Sequence, residues 1–245
     1  MTATNGQTKD PTILAVTRMH GGVCTAGIDD SGKWIRPVRP ASEQRSVQQG
    51  ITDYCLLPID FFHGGKSHLI SMGVTRFWLA AHRPAPPHIE DWLIDLTRKP
   101  ESIRKLSTDE QAGFLASHVE SDVAKLDSSQ ERSLGLYRPE SFVFSFGLNR
   151  QGEDVVARAT FKVGATEMVD VGCTDLKMRA LGRLLLQKSA GHESVLTDQD
   201  FRRRGKRETY LAVGLSRLYN NKHWPIVVGV HSIPELDIEI DYAKL

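Results

Sequence analysis

The residue types best suited to chemistry with a polyanion lie in a short basic stretch near the end of the chain. A basic segment interrupted by a glycine can follow a phosphate backbone without a fixed side-chain spacing. The alternative is a solvated loop whose arginines pair with the flanking carboxylates of Asp198, Asp200 and Glu208. We favour the phosphate-binding interpretation, which assigns this role to Arg202, Arg203, Arg204, Lys206 and Arg207.

A second group of candidate binding residues surrounds the first predicted hairpin. Because side chains alternate along a strand with a period of two, Trp34 and Arg36 share one face of the predicted strand Lys33–Val38. An indole beside arginines can stack on a base of a single strand, which contributes about 1–3 kcal/mol per base. The alternative is that Trp34 points into the core and Arg36 caps a barrel rim. The candidates in this group are Arg18, His20, Trp34, Arg36 and Arg39.

Carboxylates alternate with aliphatic residues at the C-terminal end of the chain, over residues 235–241. Paired carboxylates could hold a divalent metal ion for phosphodiester cleavage, with Asp237, Glu239 or Asp241 as ligands. The competing interpretation, which we prefer, is an edge strand whose charges oppose aggregation. No lysine or histidine lies at a fixed short offset to complete a nuclease site.

The remaining candidate residues do not predict a metal or a cofactor. His63 and His68 flank a Gly-Gly turn, which is not a usual zinc-ligand spacing. No phosphate-binding loop, dinucleotide fingerprint or nucleophile elbow occurs in the sequence. Asp175 precedes the clearest predicted helix, and we interpret it as a helix cap rather than a catalytic acid.

Composition excludes several classes of protein. The 245 residues include 31 Lys and Arg against 30 Asp and Glu, so bulk basicity gives no argument for nucleic acid and any positive surface must be local. Three widely spaced cysteines do not form a disulfide framework, which favours a reducing, cytoplasmic compartment. No apolar run approaches the roughly 20 residues that span a bilayer, so no membrane association is predicted.

The fold that positions these residues is predicted to be β-rich, of the α+β class. Short strands joined by glycine turns favour small barrels over a parallel sheet. Strands are also expected over Asp53–Phe61 and Leu236–Tyr242, helical spacing over Glu90–Arg98, and a polar loop over 189–206. The predicted organisation is a disordered leader (1–11), a first β-barrel (12–88), a helical connection (89–138) and a second β-rich domain with one inserted helix (139–245).

The N-terminal stretch resembles a known family. Ile13–Arg18, Gly21–Gly27 and the signature Trp34–Val38 are similar to the opening of the prokaryotic dual OB-containing domain proteins, with Val23 where that family tends to carry arginine. Tyr210–Ser216 and Trp224–Val230 look like a divergent second half. The resemblance implies two five-stranded OB-like barrels, with helical insertions between and within them, and a role in nucleic-acid binding. It carries over no catalytic residues.

Together these observations predict a cytoplasmic protein that binds nucleic acid, with single-stranded DNA or RNA preferred over duplex. The basic stretch and the arginines near the first hairpin would bind phosphates, and Trp34 would stack on a base. Two alternatives stay open. One is a metal-dependent nuclease that uses the C-terminal carboxylates, and the other is a protein–protein adaptor whose partner supplies the chemistry.

Overall fold

The structure is a computed structural model that describes residues 6–19, 22–39, 55–189, 193–240 and 242. The chain divides into two compact units. The first unit contains Met1–Ser107 together with Tyr242–Leu245, and the second contains Thr108–Asp241. Each unit is organised around its own β-sheet, as the β-rich prediction requires.

The first unit consists of nine strands and one short helix over its described residues. In chain order these are β1 (Gln7–Lys9), β2 (Thr12–Met19), β3 (Gly22–Ile28), β4 (Trp34–Val38), α1 (Pro58–Phe61), β5 (Phe62–His63), β6 (Lys66–Ser67), β7 (Gly73–His82), β8 (Asp91–Ile94) and β9 (Glu101–Lys105).

Five of these strands close into a barrel. The antiparallel strands β2, β3 and β4 form a meander that includes the predicted first hairpin and the predicted strand Lys33–Val38, and β8 then pairs in parallel with β4. β7 pairs with β8 and returns to β2 through the partners Thr12 and Val74, which completes the circuit. This strand order is that of the five-stranded OB barrel, so the predicted architecture of the first unit is confirmed.

The second unit has seven strands and four helices over its described residues. In chain order these are α2 (Thr108–His118), α3 (Ala124–Ser129), β10 (Leu134–Tyr137), β11 (Ser141–Leu148), β12 (Val155–Val163), β13 (Thr166–Cys173), α4 (Leu176–Lys188), β14 (Ser194–Thr197), α5 (Asp198–Arg203), β15 (Glu208–Leu215) and β16 (Pro225–Ile233).

The sheet of the second unit follows the same OB plan with one modification. β11, β12 and β13 form an antiparallel meander, and β16 pairs in parallel with β13. The fourth OB strand is split by α5, so that β14 pairs with β11 whereas β15 pairs with β16. The order β10-β15-β16-β13-β12-β11-β14 therefore ends at β10 and β14.

Helix α4 packs closely against the inner side of this sheet. A Cβ atom added to Gly182 would lie 2.5 Å from Cδ1 of Phe146 and 2.9 Å from Cγ1 of Val155, so only glycine allows this approach. The helix begins at its cap Asp175, whose Oδ1 accepts a hydrogen bond from the Met178 backbone N–H at 2.7 Å. The cap interpretation of Asp175 is confirmed.

The structure differs from the predicted organisation of the first unit at three places. Glu90–Arg98 contains strand β8 rather than a helix, because β8 is paired along both edges, with β4 and with β7, and its apolar residues are consecutive rather than alternating. β1 lies within the predicted leader and pairs with β7. Residues 58–61 of the strand expected over Asp53–Phe61 form α1, while residues 53–54 lie outside the described residues.

Two further predictions in the second unit are wrong. The segment 189–206, expected to be a polar loop, contains β14 and α5. The segment Leu236–Tyr242, expected to be a strand, forms none over its described residues, although Leu236 is buried and its neighbour Asp237 is exposed. The two compact units divide between Ser107 and Thr108.

Candidate nucleic-acid interface

The first half of the predicted basic stretch belongs to helix α5. Its N-terminus is closed by a capping box in which the side chains of Thr197 and Asp200 bond each other's backbone N–H groups. Arg202 and Arg203 lie in its last turn, and 67% and 76% of their side chains are exposed. Arg202 donates to Asp198 at 2.7 Å and Arg203 lies 3.5 Å from Asp200, so both are held by acidic residues of their own helix.

The second half of the stretch is fixed by its backbone. Gly205 adopts φ +76°, a conformation that favours glycine, and turns the chain out of the helix. The backbone N–H of Arg207 then donates to the carbonyl of Ile233 at 2.7 Å, while Lys206 Nζ donates to the carbonyl of Glu235 at 2.8 Å. The chain is thus anchored along the end of β16, and the Arg207 side chain stays exposed.

A cleft of about 290 Å³ opens beside this stretch in the second unit. One wall comes from the connection between β10 and β11 and the start of β11, and the other from α5 and the start of β15. The buried rings of Phe142 and Phe201 contact each other edge to face, with centroids 5.0 Å apart. The lining residues are Arg138, Pro139, Glu140, Phe142, Asp198, Phe201, Arg202, Lys206, Arg207, Glu208 and Thr209.

The three carboxylates of this cleft already have partners. Asp198 accepts from Arg202, and Glu140 lies 3.7 Å from Lys162 Nζ. Glu208 accepts the Tyr210 hydroxyl at 2.5 Å, and the guanidinium of Arg138 lies 4.0 Å from it. Burial, together with this bond to Glu208, raises the pKa of Tyr210 to about 12. The Tyr210 hydroxyl therefore stays a donor to Glu208 at neutral pH.

The β15–β16 connection carries an exposed aromatic cluster that the sequence analysis missed. Asn220 and Asn221 both have positive φ, and Tyr219 exchanges backbone hydrogen bonds with Lys222, which makes a tight two-residue turn. Tyr219 is 67% exposed and Trp224 is 46% exposed. We call residues 218–224 the aromatic tip.

The indole of Trp224 is held in a fixed orientation. Its Nε1–H donates to the Tyr219 carbonyl at 3.1 Å, and Lys222 Nζ lies 4.8 Å from the ring centroid. An oriented, half-exposed indole beside a lysine can stack on a base and bind its phosphate. The Asn-Asn pair between aromatic residues is the sequence signal that could have predicted this tip.

The arginines of the first predicted group are engaged within the first unit. Arg36 is buried, and its Nε donates to Oδ1 of Asp91 at 2.5 Å. Arg39 Nη1 lies 3.2 Å from Oδ2 of the buried Asp60. The predicted exposed face of Trp34 and Arg36 is therefore wrong for Arg36, because a parallel neighbouring strand covers it and supplies its counter-ion.

The other members of that group are placed differently. Trp34 and Arg18 are each half-buried, and Arg18 has contacts within the protein. His20 lies outside the described residues. Trp34 therefore keeps part of its indole accessible without the adjacent arginine that the predicted stacking face required.

The C-terminal carboxylates are not aligned by a strand. Glu235 forms an ion pair with Lys177, Asp237 and Glu239 are exposed, and Asp241 lies outside the described residues. Across the described part of the chain, no three His, Cys, Asp or Glu side chains lie close enough to hold a metal ion. His63 and His68 instead stack ring on ring at 3.7 Å.

Comparison with known families gives a match that spans most of the chain. No helix in the described ranges is long and apolar enough to cross a membrane. A search of curated proteins finds no significant match. The sequence profile of the dual OB-containing domain matches residues 9–230, which spans both barrels. The chain therefore belongs to the dual OB-containing domain family.

Proposed function

We propose that this protein binds single-stranded nucleic acid through its second unit. The observation that carries the proposal is the aromatic tip, where an oriented indole, an exposed tyrosine and a lysine lie on one two-residue hairpin. OB folds use the loop between their fourth and fifth strands for oligonucleotides, and the aromatic tip occupies that position.

The basic stretch supports the same proposal from the other end of β15. Arg204 and Arg207 are exposed there, so they are available to phosphates without any rearrangement of the backbone, and the exposed Arg203 would exchange its ion pair with Asp200 for a phosphate. Non-specific attraction between such cations and a phosphate backbone supplies much of the affinity of single-strand binders. Sequence preference is not required for this mode of binding.

The distance between the two elements fits a short strand. β15 runs from Glu208 to Leu215 and joins the basic stretch to the aromatic tip. At roughly 3.3 Å per residue the two ends of this strand are about 23 Å apart. OB folds bind about 4–16 nucleotides per domain, so one oligonucleotide of that length would reach both.

The test is an affinity measurement on variants of the tip. We expect Trp224→Ala to weaken binding of an unstructured ten-nucleotide strand by about 5- to 150-fold, which corresponds to the loss of one stacked base. Trp224→Phe should recover part of the affinity because it keeps a flat ring. Fluorescence anisotropy gives the affinity, and a thermal melt checks the fold of each variant.

A matched control comes from the same hairpin. Leu218 is 63% exposed but has no ring, so Leu218→Ala should leave the affinity unchanged. Equal affinity of the wild-type protein, Trp224→Ala and Tyr219→Ala would show that the tip takes no part in binding. Failure of the folded wild-type protein to bind any single strand would refute the proposed function itself.

A further inference from the structure

We propose that the cleft between the β10–β11 connection and α5 receives the terminal phosphate of a bound strand, a phosphate monoester. This inference rests on the proposed function, because it identifies which part of a single strand the second unit recognises. It concerns a different set of residues from the aromatic tip.

The first argument is the balance of charges inside the cleft. Each of its three carboxylates has a cationic or hydroxyl partner, as described above. Arg207 and Lys206 have no carboxylate partner within the part of the chain that the structure describes. The Arg138 side chain is more than half exposed and lies 4.0 Å from Glu208 and 5.8 Å from the centroid of the Tyr210 ring, so an anion in the cleft would compete with these two contacts for it.

The second argument is the fixed position of these cations. The Arg207 backbone bonds to Ile233, and Lys206 Nζ bonds to a carbonyl oxygen, which leaves its charge uncompensated. Both residues are therefore held at the cleft before any ligand arrives. An anion that enters would accept charge-assisted hydrogen bonds from both residues; the Lys206 side chain is already ordered by its bond to Glu235, whereas the exposed Arg207 side chain becomes ordered when the anion binds.

The third argument is size. A volume of about 290 Å³ lies at the lower end of the range for ligand sites. It accommodates a phosphate with its sugar but not several nucleotides, so the end of a strand fits better than its middle. Buried Phe142 and Phe201 also line this space, which offers the sugar an apolar contact.

A monoester also matches the cations better than an internal phosphate does. A terminal phosphate carries about −1.5 to −2 charges at pH 7 and three acceptor oxygens. An internal diester carries a single charge and two free oxygens. Because Arg138, Lys206 and Arg207 line one cleft, the extra charge and oxygen should increase affinity by about tenfold.

The experiment is a competition with unlabelled strands of one sequence. A labelled ten-nucleotide reporter on the wild-type protein is displaced by strands that end in a 5′-hydroxyl, a 5′-phosphate or a 3′-phosphate. We expect one of the two phosphorylated strands to compete about tenfold better than the hydroxyl strand, which identifies the end that enters. In Arg207→Ala this preference should disappear.

Arg204→Ala is the matched control, because Arg204 is exposed in the same stretch but does not line the cleft. It should weaken all strands equally and keep the preference. Equal competition by all three strands on a protein that still binds them overturns the terminal-phosphate inference and leaves the proposed function intact. Equally strong competition by a nucleoside monophosphate alone would also overturn it, in favour of a free nucleotide.

Discussion

Arg36 on β4 and Asp91 on β8 form a buried ion pair across two parallel strands of the first barrel. Nε and Oδ1 are 2.5 Å apart, and less than a tenth of either side chain is exposed. The Arg36 backbone N–H also donates to the carbonyl of Glu90 at 2.8 Å. This pair links the third and fifth strands of the OB order, which are 55 residues apart in the chain.

Removing one partner of this pair should strongly destabilise the first unit. Asp91→Ala leaves a buried guanidinium without its counter-ion, so we expect the free energy of unfolding to fall by about 3–5 kcal/mol. Urea denaturation followed by circular dichroism measures it. The control is Asp10→Ala, which removes the partly exposed pair with Arg76 and should cost at most about 1 kcal/mol. Equal effects of the two substitutions would contradict the prediction.

The basic stretch should determine the salt dependence of binding. We expect the triple substitution of Arg202, Arg203 and Arg204 by alanine to weaken binding to a single strand. The slope of log affinity against log salt should flatten by roughly 0.7 for each phosphate contact that is lost. Titrations at several salt concentrations measure this slope.

Two exposed lysines elsewhere in the second unit provide the control for that measurement. Alanine at Lys125 and Lys188 removes charge without touching the basic stretch, so the slope should stay unchanged. An unaltered affinity and slope in the triple variant would show that the arginines of α5 serve only their ion pairs with Asp198 and Asp200.

Trp34 should contribute more to stability than to binding. Its indole is half-buried, and the next residue along the strand, Ile35, is buried in the core. We expect Trp34→Ala to cost about 1–3 kcal/mol of stability, less than a fully buried tryptophan, with little change in the affinity of the folded protein. Thermal melts and anisotropy on one sample separate the effects. A tenfold loss of affinity at an unchanged midpoint would restore the predicted stacking role.

Asp175 should make the stability of the second unit depend on pH. Burial raises the pKa of Asp175 to about 6 from an ordinary value of 3.8, although N–H groups including that of Met178 oppose the shift. The folded state therefore binds more protons than the unfolded state between these values. This contribution to the free energy of unfolding is present below about pH 4 and is lost as the pH rises to about 6, in total about 3 kcal/mol.

Asp175→Asn isolates this effect because asparagine can still cap α4 but does not ionise. We expect the stability of the variant, relative to the wild-type protein, to increase between pH 4 and pH 6 and to stay constant above that. Chemical denaturation at a series of pH values gives the difference. A difference that is independent of pH would mean that Asp175 titrates normally.

Local patterns predicted the elements whose determinants are local. The hairpin β2–β3, the strand β4 and the helix α4 that follows Asp175 are such elements, because side-chain alternation, glycine turns and a helix cap depend on neighbouring residues. β8 was missed because its burial is imposed by neighbouring strands from distant parts of the sequence. The burial of Arg36 has the same origin, since Asp91 lies 55 residues away.

The candidate site likewise has features that the local sequence predicts and features that depend on distant parts of the chain. The basic stretch could be found because charge clusters in the sequence itself, but its helix and its cleft depend on how β10, β11 and β15 come together. The aromatic tip could have been predicted from the sequence, because the turn that forms it is local. The two asparagines predict the turn, but the structure was needed to show that Tyr219 and Trp224 are exposed beside it.

The placement of Tyr242 has a consequence for the order in which the protein can fold during synthesis. Tyr242 belongs to the first unit, where its hydroxyl donates to the Leu69 carbonyl at 2.9 Å and its ring packs near Phe61. The second unit is thus inserted, along the chain, between two parts of the first. The first barrel therefore acquires its contacts with Tyr242 only after the second barrel has been translated.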